Sequence, residues 1–303
     1  MTRAALVLIV LACGACGGRA PQGTAPATRA LPATTAERMI ALFPEGAQVL
    51  VELDLARLRA NEVVGPVATH ALAELGAETR VPGLPVTVQG SPLASADLLV
   101  LGAYGVGTAG AASIVVLATK QEVEGATRLT PEFVALGPPE WVRQLEARAA
   151  IAERAPLAPS LALMSLRDHA MPENAPGAVL RVTAQLPFDA RVALAQQVGL
   201  DTPPAQVSIW ADVVDDLAVI VDVDATDPGD KPKDSANRLA KAMTAMLAAM
   251  AREPALVPLG MASALRDARL VTDKTWVRAI IVVGPRQLKR ATERARAMLG
   301  PAS

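Results

Sequence analysis

Cysteine is nearly absent from this 303-residue chain. Cys13 and Cys16 both lie in the apolar N-terminal segment, so the rest of the chain has no thiol. This excludes disulfides, thiolate catalysis and cysteine metal ligands from the folded body. The chain has two histidines, His70 and His169, so a zinc or copper site would depend on carboxylates, which suit these metals less well. We therefore predict no metal site and no cofactor.

Aromatic residues and net charge are also low. Aromatic residues make up 2% of the chain and the formal net charge is -1. Base stacking needs neighbouring aromatic side chains, and binding to a polyanion needs clustered lysine and arginine. We expect no nucleic-acid partner. Hydrophobic residues, in contrast, make up 51% of the chain and charged residues 19%, which is typical of a packed domain and not of a disordered chain.

The N-terminal segment carries the features of a secretion signal. Arg3 precedes an unbroken apolar run over residues 4–12. A membrane-spanning helix needs about 20 apolar residues, so this run fits the apolar part of a cleaved signal instead. Ala15 precedes Cys16, and Ala12 precedes Cys13. The segment resembles bacterial lipoprotein precursors, in which a cysteine after a small residue is acylated, with chains such as palmitate, and becomes the mature N-terminus.

This resemblance implies a signal peptide over residues 1–15 and lipid attachment at Cys16. Cys13 is the alternative, although cleavage before it would leave a very short signal. Residues 16–35 are rich in Pro, Gly, Ala and Thr and are typical of a flexible tether. The resemblance implies a lipid-anchored protein of the cell envelope, at the outer membrane and facing the periplasm. Residues 43–59 are similar only to the first strand of uncharacterised exported bacterial proteins.

Hydrophobic periodicity in the body predicts an α+β fold. Residues 49–55, 207–213 and 217–224 alternate apolar and polar side chains, as half-buried strands do. Residues 235–251 have apolar spacing typical of a helix, with Asp234 or Ser235 as the expected N-cap. Hairpins mixed with helices favour antiparallel sheets.

Two segments of similar sequence indicate an internal repeat. Residues 134–149 and residues 281–297 each combine a strand, a Gly-Pro pair and an arginine-rich helix. We predict a tandem duplication of a β-α-β-β-(α)-β-β-α unit, with antiparallel sheets and helices on one face. The first repeat covers residues 36–154, a proline-rich connector covers 155–177, and the second repeat covers 178–303.

A glycine-rich segment and a set of aspartates partly match the sequence patterns of dinucleotide-binding and calcium-binding sites. Residues 105–110 read Gly-x-Gly-x-x-Gly, but a dinucleotide site needs a helix after this loop, and the sequence that follows is strand-like. We interpret the segment as a hairpin loop. Asp222, Asp224, Asp227, Asp230 and Asp234 suggest calcium, but the glycine and glutamate of an EF-hand loop are missing. Asp222 and Asp224 are expected on the exposed face of a strand.

Catalytic motifs are missing as well. The chain has no Gly-x-Ser-x-Gly, Ser-x-x-Lys or His-Glu-x-x-His motif. A triad needs no adjacency in sequence, so His70 or His169 could still belong to one. Apolar side chains at helical spacing are interpreted as a core face, and they are Leu239, Met243, Met246, Leu247 and Met250. Basic residues crowd the last helix and could meet anionic headgroups; they are Lys289, Arg290, Arg294 and Arg296.

These observations favour a non-catalytic, lipid-anchored envelope protein. We expect it to bind a protein partner or an apolar ligand between its halves. An envelope hydrolase with a non-contiguous Ser/His/Asp site is the alternative, and a purely structural scaffold is the third hypothesis. The sequence assigns no catalytic, cofactor-binding or metal-binding residue.

Overall fold

The computed structural model describes residues 32–78, 92–155, 157–159, 161–173, 175, 177–198, 204–226, 231–254 and 256–299. The predicted signal peptide, both cysteines and nearly all of the predicted tether lie outside these residues. The described chain combines helices with one ten-stranded antiparallel sheet, so the predicted α+β class is confirmed. The described residues include no helix that is long and apolar enough to cross a membrane.

The strands are β1 (Val49–Asp54), β2 (Leu98–Tyr104), β3 (Ala112–Ala118), β4 (Thr127–Arg128), β5 (Phe133–Leu136), β6 (Leu180–Gln185), β7 (Gln206–Val213), β8 (Leu217–Asp224), β9 (Arg269–Asp273) and β10 (Trp276–Val283). The helices are α1 (Thr35–Leu42), α2 (Leu55–Ala60), α3 (Gly65–Glu78), α4 (Pro92–Ser95), α5 (Pro139–Ala152), α6 (Leu161–Arg167), α7 (Phe188–Val198), α8 (Pro232–Met250), α9 (Ala262–Arg266) and α10 (Pro285–Leu299).

The strand order joins two halves of the chain at the centre of the sheet. The order is β4-β5-β3-β2-β1-β6-β7-β8-β10-β9, with β1 paired to β6. We call β1–β5 the first half and β6–β10 the second half. Counted outward from the centre, each half shows its first, second, third, fifth and fourth strand. This shared topology agrees with the expected repeat unit, whereas its origin in a duplication stays a prediction.

Side chains alternate between the two faces of the sheet and enter two separate cores. On the face that we call the core face, Val49, Val182 and Val277 belong to one large cluster. On the opposite face, which we call the cleft face, Leu50 and Val100 belong to a second cluster. Neighbouring residues of one strand are buried in different cores because both faces of the first half are covered.

The helices do not all lie on one face, which corrects the prediction. In the second half, α7 and α8 pack on the core face, and α10 packs there through Leu288. In the first half, α1, α5 and α6 cover the cleft face, while α3 packs on the core face. On the cleft face of the second half, α6 is the described helix that contacts the sheet, at β6 and β7, and the following connector residues and charged side chains cover the part of that face that the structure describes.

Two local expectations also need correction. Helix α8 begins at Pro232 with Lys231 as the N-cap, three residues before the predicted start, because proline is well suited to the first helical turn. The predicted tether ends early, because Thr34 caps α1 through a capping box with Glu37. Tertiary burial of Met39, Ile40 and Leu42 in the cleft-face cluster stabilises this short helix.

Candidate functional site

A cleft of about 730 Å³ opens on the cleft face, near the junction of the two halves. The start of α1 forms one wall, the ends of β1, β2 and β3 form the floor, and the connector and β6 contribute from the second half. Its lining residues are Thr34, Thr35, Ala36, Arg38, Glu52, Asp54, Ala56, Asp97, Leu98, Ala118, Thr119, Lys120, Glu132, Phe133, Arg167, Ala178 and Arg181.

The charges of the lining are balanced. Four side chains are basic and four are acidic; they are Arg38, Lys120, Arg167, Arg181, Glu52, Asp54, Asp97 and Glu132. At the rim, Arg38 forms an exposed ion pair of 2.9 Å with Glu132. Lys120 is exposed and has no ion pair within the part of the chain that the structure describes. The cleft thus presents both positive and negative side chains to a ligand. Lys120 is the basic side chain that a ligand can pair with without breaking an ion pair of the described residues.

A buried ion pair holds the connector against the floor of the cleft. Arg167 Nε lies 2.6 Å from Glu52 Oε1, and Arg167 Nη2 lies 2.8 Å from Glu52 Oε2. The two side chains are only 7% and 6% exposed. Burial by itself would lower the pKa of Arg167, but the hydrogen bonds and charge of Glu52 raise it above the ordinary arginine value. The guanidinium is therefore permanently charged and its geometry is set by the carboxylate.

Glu37 connects α1 to this ion pair. Its Oε2 accepts hydrogen bonds from the Ala33 and Thr34 amides at 2.7 and 3.0 Å, and its Oε1 lies 3.5 Å from Arg167 Nη1. Burial opposes ionisation, but these two amides and the arginine together lower the pKa of Glu37 below 4.5. The same carboxylate thus caps the helix at the cleft wall and faces the buried arginine.

The residues after Arg167 continue across the cleft face. Asp168 forms a 2.6 Å ion pair with Arg181 on β6. His169 Nδ1 lies 2.7 Å from Asp222 Oδ2 on β8, and its carbonyl accepts a hydrogen bond from Arg278 on β10. Three consecutive connector residues therefore contact successive parts of the sheet, from β1 to β10. The predicted connector is a packed segment in this region and not a simple linker.

The structure corrects the expected exposure of Asp222 and Asp224 and limits the calcium hypothesis. Asp222 and Asp224 were expected on an exposed strand face, but they are only 1% and 8% exposed. Their burial is possible because each carboxylate has a donor: Arg278 donates two hydrogen bonds to Asp222, and Thr226 donates to Asp224. Asp227 and Asp230 lie outside the described residues. Within those residues, no group of three or more His, Cys, Asp or Glu could hold a metal ion.

His169 has the carboxylate partner of a triad histidine, but within the described residues its ring has no hydrogen bond to a serine. Its ring stacks on Trp276 with centroids 3.9 Å apart. Ser208 is the cross-strand neighbour of Asp222, yet its hydroxyl accepts a hydrogen bond from the Ala170 amide. His70 lies on α3, at the opposite side of the first half. The structure therefore brings His169 and Asp222 together and leaves His70 apart from them.

The remaining sequence candidates are explained by the fold. Residues 105–110 form the loop of the β2–β3 hairpin, as interpreted, and Gly107 has a φ of +80° and leaves no room for a side chain beside Ala190. The apolar stripe of α8 is a core face, with Leu239, Met243 and Leu247 buried. The basic residues of α10 are exposed, and Arg294 donates to the Pro258 carbonyl.

Sequence reasoning missed the residues that build the cleft. Arg167, Glu52 and Arg181 are ordinary charged residues in sequence, and their pairing depends on a register between β1, β6 and the connector. A partial signal exists in Glu52, which is a charged residue inside the apolar run of β1. Such a residue in a strand that is buried on both faces needs a partner.

Comparisons with known proteins add little. No family model matches the chain, and no curated protein matches it. Among solved structures, crystal forms I and III of the Treponema protein TP0453 are similar at TM-scores of 0.44 and 0.45, with 6% and 8% identity. Each alignment covers 84% of this chain and 96% of the other. Similarity at this level carries no inference about function.

Proposed function

We propose that this chain is a lipid-anchored, non-catalytic protein of the cell envelope whose cleft binds a polar, charged segment of a partner protein. The observation that carries the proposal is the lining of the cleft, where four basic and four acidic side chains surround about 730 Å³. This volume is in the range of ligand sites, about 300–1,000 Å³.

The charged lining favours a polar ligand over the apolar ligand that was the alternative expectation. An apolar molecule in the cleft would remove Lys120 and Asp97 from water without replacing their hydrogen bonds, which is unfavourable. A peptide segment supplies backbone donors and acceptors together with side chains of either charge. The exposed rim pair between Arg38 and Glu132 can exchange partners with such a segment at little cost, because exposed ion pairs contribute little to stability.

The cleft adjoins the end of the tether. Thr34 and Thr35 line the cleft, and the predicted tether leads from residue 16 to this point. A protein held by lipid at Cys16 would therefore carry its cleft beside the tether, where a partner in the same membrane could reach it. Two or more acyl chains on one cysteine would give stable attachment to the membrane.

Site-specific photo-crosslinking tests this proposal. A photoreactive amino acid at Thr35 of the full chain, in cells of the native host, should give a discrete adduct with a partner protein. Lys120→Glu should reduce this adduct at least about fivefold, because it replaces a cation available to an acidic group of the partner by a carboxylate that repels that group. Lys289→Glu, an equal charge change on exposed α10, should leave it unchanged. Equal adducts in both variants, or no adduct with Thr35 labelled, would refute the proposal.

The alternative of an envelope hydrolase has one specific observation in its favour. Asp222 holds Nδ1 of His169 at 2.7 Å, as the carboxylate of a triad does. A fluorophosphonate probe distinguishes the two functions, since a hydrolase would be labelled and the labelling would be lost in His169→Ala. A purely structural scaffold would show neither labelling nor a cleft adduct.

A further inference from the structure

The second half of the sheet ends in an accessible strand. In the described chain, β9 pairs with β10 on one side and is the last strand of the sheet. Four of its five residues are exposed, and Val271 is 39% exposed. An exposed edge strand can accept a further strand through its unpaired backbone groups.

The turn between β9 and β10 determines which backbone groups of β9 face away from β10. Asp273 and Trp276 are paired across the two-residue turn of Lys274 and Thr275, and Lys274 has the positive φ of 53° that such turns require. The residues that flank a two-residue turn are hydrogen-bonded to each other, and the bonding direction then alternates along the strand. It follows that Leu270 and Thr272 direct their N–H and C=O groups to the outer edge.

The side chains of β9 are complementary to a second copy of the same strand. In an antiparallel pairing centred on Val271, Leu270 lies opposite Thr272 of the other copy, so that the outward groups of both residues meet. The same register places Arg269 opposite Asp273 of the other copy, twice by symmetry. Neither charged residue has an ion pair within the described residues, so both charges are available to a partner.

The opposite edge of the sheet is closed to such pairing. Strand β4 has two residues, and Arg128 donates hydrogen bonds to the Thr119 and Gln121 carbonyls. A two-residue strand offers too few backbone groups for a stable ladder. Pairing at β9 therefore ends in a closed dimer, because the described part of each copy has one long accessible edge and a twofold contact occupies it.

We propose that two copies of this chain associate through β9, in antiparallel register about Val271, to form one continuous sheet. Opposite charges across a strand pair stabilise it and like charges destabilise it, so the ion pairs between Arg269 and Asp273 set the register. This contact lies at the far end of the sheet from the cleft wall formed by α1 and does not depend on what the cleft binds.

Disulfide trapping tests the register directly. Because the folded body has no cysteine, Val271→Cys in a full chain that also carries Cys13→Ala would place one new thiol at the twofold axis. Non-hydrogen-bonded partners have Cα atoms about 4.5 Å apart, which is within the range for a disulfide. Mild oxidation of the detergent-purified protein should give a covalent dimer. Val214→Cys, which replaces an even more exposed valine at the β7–β8 turn, should give none.

Exchanging the charges of Arg269 and Asp273 tests the same register in a second way. Arg269→Asp alone and Asp273→Arg alone each create two like-charge contacts and should raise the dimer dissociation constant at least about tenfold in analytical ultracentrifugation. The double variant restores opposite charges and should return the constant to within about threefold of the parent. Trapping that is equal at positions 271 and 214, or a double variant no better than the single ones, would overturn the proposal.

Discussion

Arg167 and Glu52 are 115 positions apart in sequence and form two hydrogen bonds of 2.6 and 2.8 Å in the interior of the protein. The pair joins the connector to β1, the strand of the first half that lies at the centre of the sheet. It lies at the floor of the cleft, so its geometry supports both the fold and the candidate site.

Breaking this pair on one side should be strongly destabilising. Glu52→Gln leaves the Arg167 guanidinium buried without its counter-charge, and Arg167→Met leaves the Glu52 carboxylate buried without its donors. For each variant we expect a loss of about 3–5 kcal/mol in the free energy of unfolding. The double variant Glu52→Leu with Arg167→Met should be markedly more stable than either single variant, because no charge is left buried. Urea denaturation followed by circular dichroism measures all three, and additive losses would contradict the expectation.

Gly102 is predicted to be intolerant of a side chain. A Cβ at this position of β2 would lie 2.6 Å from a ring carbon of Phe43, which is 5% exposed and packed in the cleft-face cluster. Gly102→Ala should therefore lower stability by about 1–3 kcal/mol.

The matched control is Gly284→Ala, where a Cβ meets nothing within 4 Å. This variant should change stability by less than about 0.5 kcal/mol in the same denaturation experiment. Equal effects at the two positions would show that the ring of Phe43 can move aside.

The ionisation of Glu37 should make part of the stability depend on pH. Its pKa in the folded protein is below the ordinary glutamate value of 4.5, so the carboxylate stabilises the fold above pH 4.5 and this contribution is lost as the pH falls through the lower folded value. Glu37→Gln keeps an acceptor for the helix cap but cannot titrate. The stability difference between parent and variant should be largest near neutral pH and shrink below pH 4.5. Thermal unfolding across this range measures it, and a constant difference would refute the assignment.

Lipid attachment is predicted to depend on Cys16. Cys16→Ala should move the protein from the membrane fraction to the soluble fraction or leave it unprocessed, and Cys13→Ala should leave it membrane-bound. Mass spectrometry of the mature N-terminus identifies the modified residue. Diacylglycerol on neither cysteine would refute the lipoprotein interpretation, and its presence on Cys13 would establish the alternative site.

Much of the fold could be predicted because it is encoded locally. Alternating apolar residues in β7 and β8 identify a hairpin from sequence, and their observed bounds differ from the prediction by one residue at most. Helix α1 was missed since its eight residues carry a weak local signal and depend on burial against β2. The assignment of helices to one face failed because periodicity shows that a residue is buried but not which layer covers it.

The sequence by itself determined the cysteine-free body, the α+β class and the hairpin nature of residues 105–110, because composition and periodicity act over short distances along the chain. Only the tertiary structure decided that both halves share one sheet through β1 and β6, that Arg167 pairs with Glu52, and that Asp222 is buried. These relationships join residues distant in sequence, and their stability depends on strand register and on the desolvation of paired charges. Neither quantity can be read from the identity of single residues.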